Sequence, residues 1–286
     1  MPLFGRVTVI GVGLVGGSLG MAVRRRGLAG EVVGVARVLE TIAAATQRGA
    51  IHWGTLDPTD GVPDADLVVL ATPPERVIPM ARRVLPLLKH GAILTDVASV
   101  KTEIVRSVEP LVRPNSGVVF LGGHPMAGNE GRGIGAASPD LFEGTMYLIT
   151  PTARTNPAAV ERLSEFAGAL GATPIVMEPA EHDRVVAVVS HLPYLIAAAL
   201  MAVASGGAER AAGPSFLGAT RVAGSSIDMW TQICRLNRDA ITDAVKAFQS
   251  RLGELEGALA DPERLGAMLA RAGEARAQID AARRVE

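Results

Sequence analysis

The fold is decided by one stretch near the N-terminus, Val7-Thr8-Val9-Ile10-Gly11-Val12-Gly13-Leu14-Val15-Gly16. Its first four residues form an apolar run typical of a buried strand, and Leu14 to Arg26 then predicts a helix. The pattern G-x-G-x-x-G between a strand and a helix is typical of the phosphate-binding turn of dinucleotide-binding domains. The N–H groups of Leu14 and Val15 lie at the positive end of the helix dipole, where a pyrophosphate binds.

The three glycines of this turn have separate physical roles. Gly11 allows the tight turn after the strand, and Gly13 lets the backbone approach a pyrophosphate. Gly16 allows the helix to pack closely against the strand. Glycines also cluster in ordinary turns, so the pattern alone is a weak signal, but its position between a strand and a helix favours nucleotide binding.

The end of the second predicted strand decides which dinucleotide fits. NAD-preferring sites place Asp or Glu there to accept hydrogen bonds from the ribose 2′-hydroxyl. This chain has Ala36 at that position, followed by Arg37, whose guanidinium matches the geometry of a 2′-phosphate. The sequence therefore predicts NADP, with NAD as the alternative if Arg37 is a solvated cation and Glu40 binds the ribose.

The chain of 286 residues divides into two parts. Up to about residue 178, short apolar runs alternate with helical stretches, which predicts a parallel, doubly wound sheet. The runs after the first are Val32 to Val35, Leu67 to Ala71, Ala92 to Thr95, Val118 to Leu121 and Pro174 to Met177. The remainder has helical periodicity, with long helices predicted at Ala180 to Ala204 and Arg238 to Leu259. We expect an α/β Rossmann-type dinucleotide-binding domain over residues 1–178 and an all-α domain over residues 179–286.

Composition excludes several classes of function. Lys and Arg number 28 and Asp and Glu 29, so a net charge of −1 provides no basic surface for nucleic acid or an anionic membrane. Aromatic residues make up 3%, too few for base-stacking platforms. The longest apolar stretch, Leu195 to Ala204, is about half of what a membrane-spanning helix needs. A single cysteine, Cys234, and an N-terminus without a signal-peptide pattern favour a cytoplasmic protein.

Polar residues follow two of the predicted strands and interrupt a predicted helix. Thr95 to Lys101 follows one strand, and Gly122 to Gly128 follows another. Ser190 to Tyr194 interrupts the first long helix of the second part. Ligands bind at the carboxyl edge of such sheets, so we expect His124, which lies between these glycines, to face a cleft. No role is predicted for the three histidines without such a context, His52, His90 and His182, and no metal site is predicted.

These motifs together resemble the prephenate/arogenate dehydrogenase family of tyrosine biosynthesis. The matching segments extend from residue 7 to about residue 237, and their combination is far more specific than any one motif. They are the Gly11 turn, Leu70 to Pro73, Asp96 to Lys101, His124 to Gly128, Ser190 to Pro193 and Thr220 to Ala223. The resemblance implies an oxidative decarboxylation. Hydride leaves C4 of a cyclohexadiene for the nicotinamide, the 4-hydroxyl loses its proton, and loss of CO2 makes the ring aromatic.

The resemblance also implies which side chains take part. His124 would hydrogen-bond the 4-hydroxyl and take up its proton, a role that suits a neutral imidazole. Ser99 would hydrogen-bond both His124 and the hydroxyl, and capping of the helix that begins there is compatible with the same position. Arg221 would bind a substrate carboxylate through two hydrogen bonds, and its alternative is a solvated cation. Thr72 and Pro73 would shape the nucleotide cleft.

Three further substrate-binding residues follow from the resemblance. His191 would line the pocket near the nicotinamide or pack between helices. Glu130 matches an acidic residue that gates the pocket in some relatives, although Asn129 precedes it where Thr is common, and pairing with Arg132 is the alternative. Trp230 would reach the active site or pack at an interface, because the helical domains of this family form homodimers.

The substrate and two other functions remain open at this point. Prephenate carries a side-chain keto group where arogenate carries an ammonium, and no residue reads that difference. The chain ends at Glu286 without a following regulatory domain, so we expect no tyrosine inhibition through such a module, while direct competition at the active site stays open. The alternatives are another two-domain reductase, of the β-hydroxyacid dehydrogenase or imine reductase type, and a silent NADP-binding regulator.

Overall fold

The computed structural model describes residues 1–129 and 131–285, without the side chains of residues 209 and 282–285. The strands of this part of the chain are β1 (Phe4–Ile10), β2 (Ala29–Val35), β3 (Trp53–Thr55), β4 (Leu67–Leu70), β5 (Ile93–Asp96), β6 (Val119–Pro125), β7 (Met146–Thr150) and β8 (Thr173–Val176). They form one sheet in the order β3-β2-β1-β4-β5-β6-β7-β8. All neighbouring strands are parallel except β6 and β7, which are antiparallel.

Helices connect the strands, and after β8 the described chain is helical. The helices before residue 178 are α1 (Leu14–Arg25), α2 (Leu39–Gln47), α3 (Pro58–Gly61), α4 (Pro74–Val84), α5 (Thr102–Val108) and α6 (Pro157–Ala169). Those after it are α7 (Pro179–Val186), α8 (Leu192–Ala204), α9 (Pro214–Thr220), α10 (Ile227–Leu236), α11 (Arg238–Ala258) and α12 (Pro262–Val285). The boundary at residue 178 stays a prediction, and it falls between β8 and α7.

Apolar side chains bury both faces of the sheet. One core cluster packs Leu19 of α1 and Phe166 of α6 against the strands, and a second packs Val77 of α4 and Ile104 of α5 on the opposite face. All four residues of β4 are fully buried, which is why that strand reads as a continuous apolar run. The predicted fold class, an α/β dinucleotide-binding domain followed by helices, is confirmed.

The expectation of a wholly parallel sheet is wrong at one pairing, so that β7 and β8 run opposite to the other six strands. The apolar strand β7 was absent from the predicted set, and it runs antiparallel to β6, with His124 opposite Leu148. A strand's direction depends on the path of the loop before it, and this is not encoded in the strand's own residues. The short edge strand β3 was also absent from the prediction, since three residues carry too little periodicity to detect.

The helix predicted at Ala180 to Ala204 is present. Ser190 to Tyr194 was expected to interrupt it, but the helix continues through these residues. A π-helical turn, Ala187–His191, joins α7 to α8, and Pro193 lies in the first turn of α8. Among the described residues this stretch, Pro179–Ala204, is the one helix long and apolar enough to cross a membrane, judged by length and composition only. A core helix of a soluble protein passes the same test, so the finding is weak evidence.

Candidate active site

The phosphate-binding turn has the geometry that its glycines require. Gly11 has φ +100°, in the region that favours glycine, and a Cβ atom there would overlap the carbonyl oxygen of Ala71 on the neighbouring strand. A Cβ atom on Gly16 would overlap the carbonyl oxygen of Gly11, so α1 can approach β1 only without one. Gly13 faces open space, with no atom within 4 Å of such a Cβ position. The turn is therefore closed on two sides and open where a ligand would approach.

The N-terminus of α1 is free to bind an anion. Its first residue is Leu14, and Gly13 precedes it without a side-chain cap or any acidic residue in the first turn. At the end of the adjacent strand β4, the hydroxyl oxygen of Thr72 is buried and makes no hydrogen bond within the described part of the chain. The N-terminus of this 12-residue helix has no side-chain cap, Gly13 faces open space, and the Thr72 hydroxyl lacks a hydrogen bond to the described residues. These three features fit a dinucleotide bound along this edge of the sheet.

The residues predicted to select the nucleotide lie at the end of β2. Ala36 is buried, and its N–H donates to the carbonyl oxygen of Thr55 at 3.1 Å. Arg37 and Glu40 are exposed, and the described residues provide no hydrogen bond or ion pair for Arg37. The guanidinium is thus available at the place where the adenosine ribose would lie.

A fully buried ion pair lies under the predicted catalytic edge. Asp96 ends β5, and Lys101 Nζ donates to its Oδ2, with both side chains inaccessible to solvent. Asp96 Oδ2 also accepts from the N–H of Ala98 at 3.0 Å, and Oδ1 accepts from the N–H of Gly123 at 3.4 Å. Burial lowers the pKa of Lys101, and Asp96 opposes this. These bonds tie the end of β5 to β6 beside His124.

His124 lies inside β6 rather than after it. The strand continues to Pro125, and antiparallel pairing with β7 covers this end, so His124 is only 7% exposed. The sequence predicted that His124 faces a cleft, whereas the structure buries its side chain almost completely. Burial is the largest cause that holds the pKa of His124 well below its usual value, and the positive charge of Lys101 acts in the same direction. The imidazole is neutral at pH 7.

His182, for which no role was predicted, contacts His124 directly. His124 Nδ1 lies 2.8 Å from His182 Nε2, and His182 Nδ1 lies 2.8 Å from Asp183 Oδ1. Asp183 also accepts from the backbone N–H groups of Lys101 and Thr102, each at 2.8 Å. A carboxylate on α7 thus caps α5 and contacts the histidine pair at the same time.

Ser99 does not cap α5, because Asp183 occupies that role and the helix begins at Thr102. Ser99 lies beside His191, and the charged form of that imidazole is favoured by the Ser99 backbone. Burial outweighs this effect and lowers the pKa of His191 to about 4. The Nδ1 atom of His191 lies 3.2 Å from Asn237 Nδ2, while its Nε2 atom is buried without a hydrogen bond to any described residue.

Trp230 joins this cluster from α10. Its ring lies edge-on to His191, with centroids 5.9 Å apart, and stacks on Tyr194 with centroids 3.8 Å apart. The indole N–H is buried without a partner among the described residues. The His191 imidazole and the indole therefore both keep an unpaired polar atom, which is the situation expected of groups that meet a ligand.

The remaining predicted site residues are Arg221, Pro73 and Glu130. Arg221 is exposed in a 3₁₀ turn, Arg221–Gly224, that packs near α8. Pro73 is exposed and precedes α4. Glu130 lies outside the described residues. The structure brings together Ser99, His124, His191 and Trp230, and adds His182 and Asp183 to them.

The geometry of these two groups of residues indicates a class of protein. A free helix N-terminus beside an open glycine provides a dinucleotide site, and buried neutral imidazoles lie near the same edge of the sheet. Among the described residues no cluster of three or more potential ligands could hold a metal ion. A hydride acceptor next to a neutral proton acceptor is the arrangement of a dinucleotide-dependent dehydrogenase.

Family comparison places the chain within that class. The model of the prephenate dehydrogenase nucleotide-binding domain matches residues 19–176, and that of the prephenate dehydrogenase dimerization domain matches residues 178–270. The chain belongs to the prephenate dehydrogenase family. The family predicted from the sequence motifs is confirmed, as is the predicted class of enzyme, an NAD(P)-dependent dehydrogenase.

Individual relatives resemble the chain in sequence, and two of them also in structure. The prephenate dehydrogenase of Bacillus subtilis is 33% identical over 83% of this chain, which spans 65% of that protein's length. The structure of Synechocystis arogenate dehydrogenase is 31% identical, with a TM-score of 0.83 over 96% of this chain and 99% of that one. The prephenate dehydrogenase of Aquifex aeolicus, in complex with hydroxyphenyl propionate and NAD⁺, is 29% identical, with a TM-score of 0.85 over 98% of both chains.

Sequence reasoning missed the partners of His124. His182 and Asp183 are 58 and 59 positions further along the chain, and no local spacing relates them to a strand of the sheet. The available signal was weak: a His-Asp pair near the start of the first helix after the last strand. Asn237, which donates to the Asp183 carbonyl oxygen at 2.8 Å, has no sequence signal at all.

Proposed function

We propose that this chain oxidatively decarboxylates prephenate, arogenate or both, with NADP preferred as the hydride acceptor. The observation that carries the proposal is a buried, neutral imidazole, His124, at the sheet edge that also holds the phosphate-binding turn. The family match and the relatives support the reaction.

The reaction requires one proton acceptor and one carboxylate-binding group from the protein. The dinucleotide, when bound, accepts the hydride from C4 of the substrate. His124 takes the 4-hydroxyl proton, the bond from C1 to the carboxylate breaks, and its electron pair enters the ring as CO2 leaves. The proton then returns to the phenolate oxygen, so His124 ends the cycle neutral. A neutral imidazole suits this exchange because it can both take up and return the proton.

The other predicted residues position the substrate in this proposal. Ser99 holds the hydroxyl against His124, and Arg221 binds a substrate carboxylate. His191 and Trp230 line the pocket with the two unpaired polar atoms described above. Glu130 would gate the pocket, and its position lies outside the described residues.

Two finer assignments rest on separate observations. NADP is favoured over NAD because Ala36 replaces the ribose-binding acid and Arg37 is exposed beside it. The substrate is left as prephenate or arogenate because the relatives include a dehydrogenase named for each, at 33% and 31% identity. A cytoplasmic location stays a prediction.

We also propose that the protein is a homodimer through its helices. Residues 178–270 match a dimerization domain. Large apolar side chains are exposed on its helices, including Val188, Val189, Val203, Leu217 and Ile227. Exposed apolar surface of this extent is typical of an interface, and pairing of two chains would bury it.

Initial rates with prephenate or arogenate, each with NAD or NADP, test the proposal. We expect turnover in at least one combination, with CO2 released for each reduced nicotinamide and faster rates with NADP. His124→Asn should abolish turnover and leave dinucleotide affinity nearly unchanged. Reduction without CO2 release would indicate the β-hydroxyacid dehydrogenase type, and dinucleotide binding without any turnover would indicate a regulator.

A further inference from the structure

Three buried side chains form a line that ends at the proposed proton acceptor. Asp183, His182 and His124 are 4%, 0% and 7% exposed, and successive polar atoms along the line are 2.8 Å apart. Two of the three, Asp183 and His182, are outside the reaction as described above. Their contacts determine where the protons of both imidazoles lie.

The carboxylate at the far end can only accept hydrogen bonds. Asp183 receives backbone N–H groups from Lys101 and Thr102, and both are obligatory donors. Burial opposes ionisation, but hydrogen bonds from His182 and Thr102 outweigh it, so the pKa of Asp183 is below its usual value. An ionised Asp183 facing His182 Nδ1 at 2.8 Å requires a hydrogen on that nitrogen.

The middle imidazole then has only one way to contact His124. Burial lowers the pKa of His182 although Asp183 favours its charged form, so the ring is neutral at pH 7. A neutral ring with its hydrogen on Nδ1 carries a lone pair on Nε2. Two ring nitrogens 2.8 Å apart need one hydrogen between them, and His124 Nδ1 must supply it.

We propose that His182 and Asp183 are positioning residues that hold His124 in the tautomer with its hydrogen on Nδ1. The lone pair of His124 then lies on Nε2, which makes no hydrogen bond to any described residue. That atom is the one available to take the hydroxyl proton, and the inference rests on the proposed function in this respect. The opposite tautomer would place two lone pairs against each other and leave no acceptor for the substrate.

The surrounding charges favour the same arrangement. Lys101 lies near both histidines and disfavours a positive charge on either, while its own charge is paired with Asp96. His191 is itself neutral at pH 7, because burial lowers its pKa to about 4. A proton taken up at His124 Nε2 would strengthen the bond from His124 Nδ1 to His182, because a charged donor makes the stronger hydrogen bond.

Nitrogen NMR of the wild-type protein tests the tautomer without any catalysis. The chain has five histidines, so protein labelled with ¹⁵N in the imidazole rings gives a resolvable set of long-range ¹H–¹⁵N correlations. At pH 7.5 we expect both His124 and His182 to show a protonated Nδ1 and an unprotonated Nε2. Assignment uses His124→Asn and His182→Gln. A protonated Nε2 on neutral His124, or a doubly protonated His182, would overturn the inference.

Two substitutions at one position separate positioning from folding. In His182→Gln the amide oxygen can still accept from His124 Nδ1, whereas His182→Leu leaves that N–H unpaired. We expect kcat to fall about a hundredfold in the Leu variant, with KM and dinucleotide affinity nearly unchanged, and most of the loss to be recovered in the Gln variant. His90→Leu, at an exposed histidine outside the site, is the matched control.

The outcomes distinguish this inference from the proposed function. Equal losses of kcat in the Gln and Leu variants, both folded by circular dichroism, would refute positioning through an accepted hydrogen bond. Absence of turnover in the wild type with every substrate and dinucleotide would refute the proposed function and leave the NMR result to decide the tautomer. Turnover together with the wrong tautomer would refute the inference alone.

Discussion

Acid should destabilise the folded protein through His191, by an amount that the structure allows us to work out. The side chain is fully buried, and Asn237 Nδ2 donates to its Nδ1, which leaves it neutral with no counter-charge in direct contact. Burial lowers its pKa from 6.5 to about 4 in the folded state. In the unfolded chain this imidazole takes up a proton near pH 6.5. Between about pH 6.5 and 4 the unfolded state therefore binds more protons than the folded state, and the free energy of unfolding decreases as the pH is lowered.

The expected size follows from the interval of pH crossed. Between pH 7.5 and 5.0 the unfolded imidazole titrates through about 1.5 units below its own pKa, while the folded imidazole stays neutral. Each unit corresponds to about 1.4 kcal/mol, so His191 alone should lower the free energy of unfolding by about 2 kcal/mol over this range. The contribution is fully present above pH 6.5 and absent below about pH 4.

Urea unfolding of the wild type and His191→Gln at pH 7.5 and 5.0, at one protein concentration, measures this difference. The variant lacks the titrating ring, so it should lose about 2 kcal/mol less than the wild type on acidification. His90→Gln, at an exposed position, should follow the wild type and serves as the control. Equal losses in wild type and His191→Gln would show that His191 is not held neutral by burial, and the reasoning would fail.

Three other predictions follow from the nucleotide site and the buried ion pair. Arg37→Ala should weaken NADP binding about ten- to a hundredfold and leave NAD binding almost unaffected, as measured by fluorescence titration. Equal losses of affinity for NADP and NAD would refute the 2′-phosphate contact. Gly16→Ala should abolish dinucleotide binding in a calorimetric titration, because the added methyl overlaps the Gly11 carbonyl; normal binding would contradict the close approach. Asp96→Asn should lower the free energy of unfolding by about 3–5 kcal/mol, because it leaves Lys101 buried and unpaired. Adding Lys101→Met should recover part of that loss, and no recovery would argue against an unpaired charge as its cause.

Local sequence was enough to predict the nucleotide-binding half of the site. The turn from Gly11 to Gly16 spans six residues. Gly11 and Gly16 each lie against a backbone carbonyl that a Cβ atom would overlap, and Gly13 faces open space. Ala36 at the end of β2, and His124 as the proposed proton acceptor, were predicted by the same kind of local reasoning. The helix predicted for Arg238 to Leu259 agrees within one residue with α11. These features depend on short-range periodicity and on glycine conformation, both of which a sequence displays directly.

The tertiary structure alone decided how the proposed catalytic half of the site is assembled. The antiparallel direction of β7 buries His124 at the end of β6, although each strand by itself reads the same in either direction. Packing of α7 on α5 brings Asp183 to the N–H groups of Lys101 and Thr102 and sets His182 against His124. Such contacts join residues 58 to 82 positions apart. Their geometry is set by how helices and strands pack across the chain, because a hydrogen bond depends on distances of a few tenths of an ångström that no local pattern encodes.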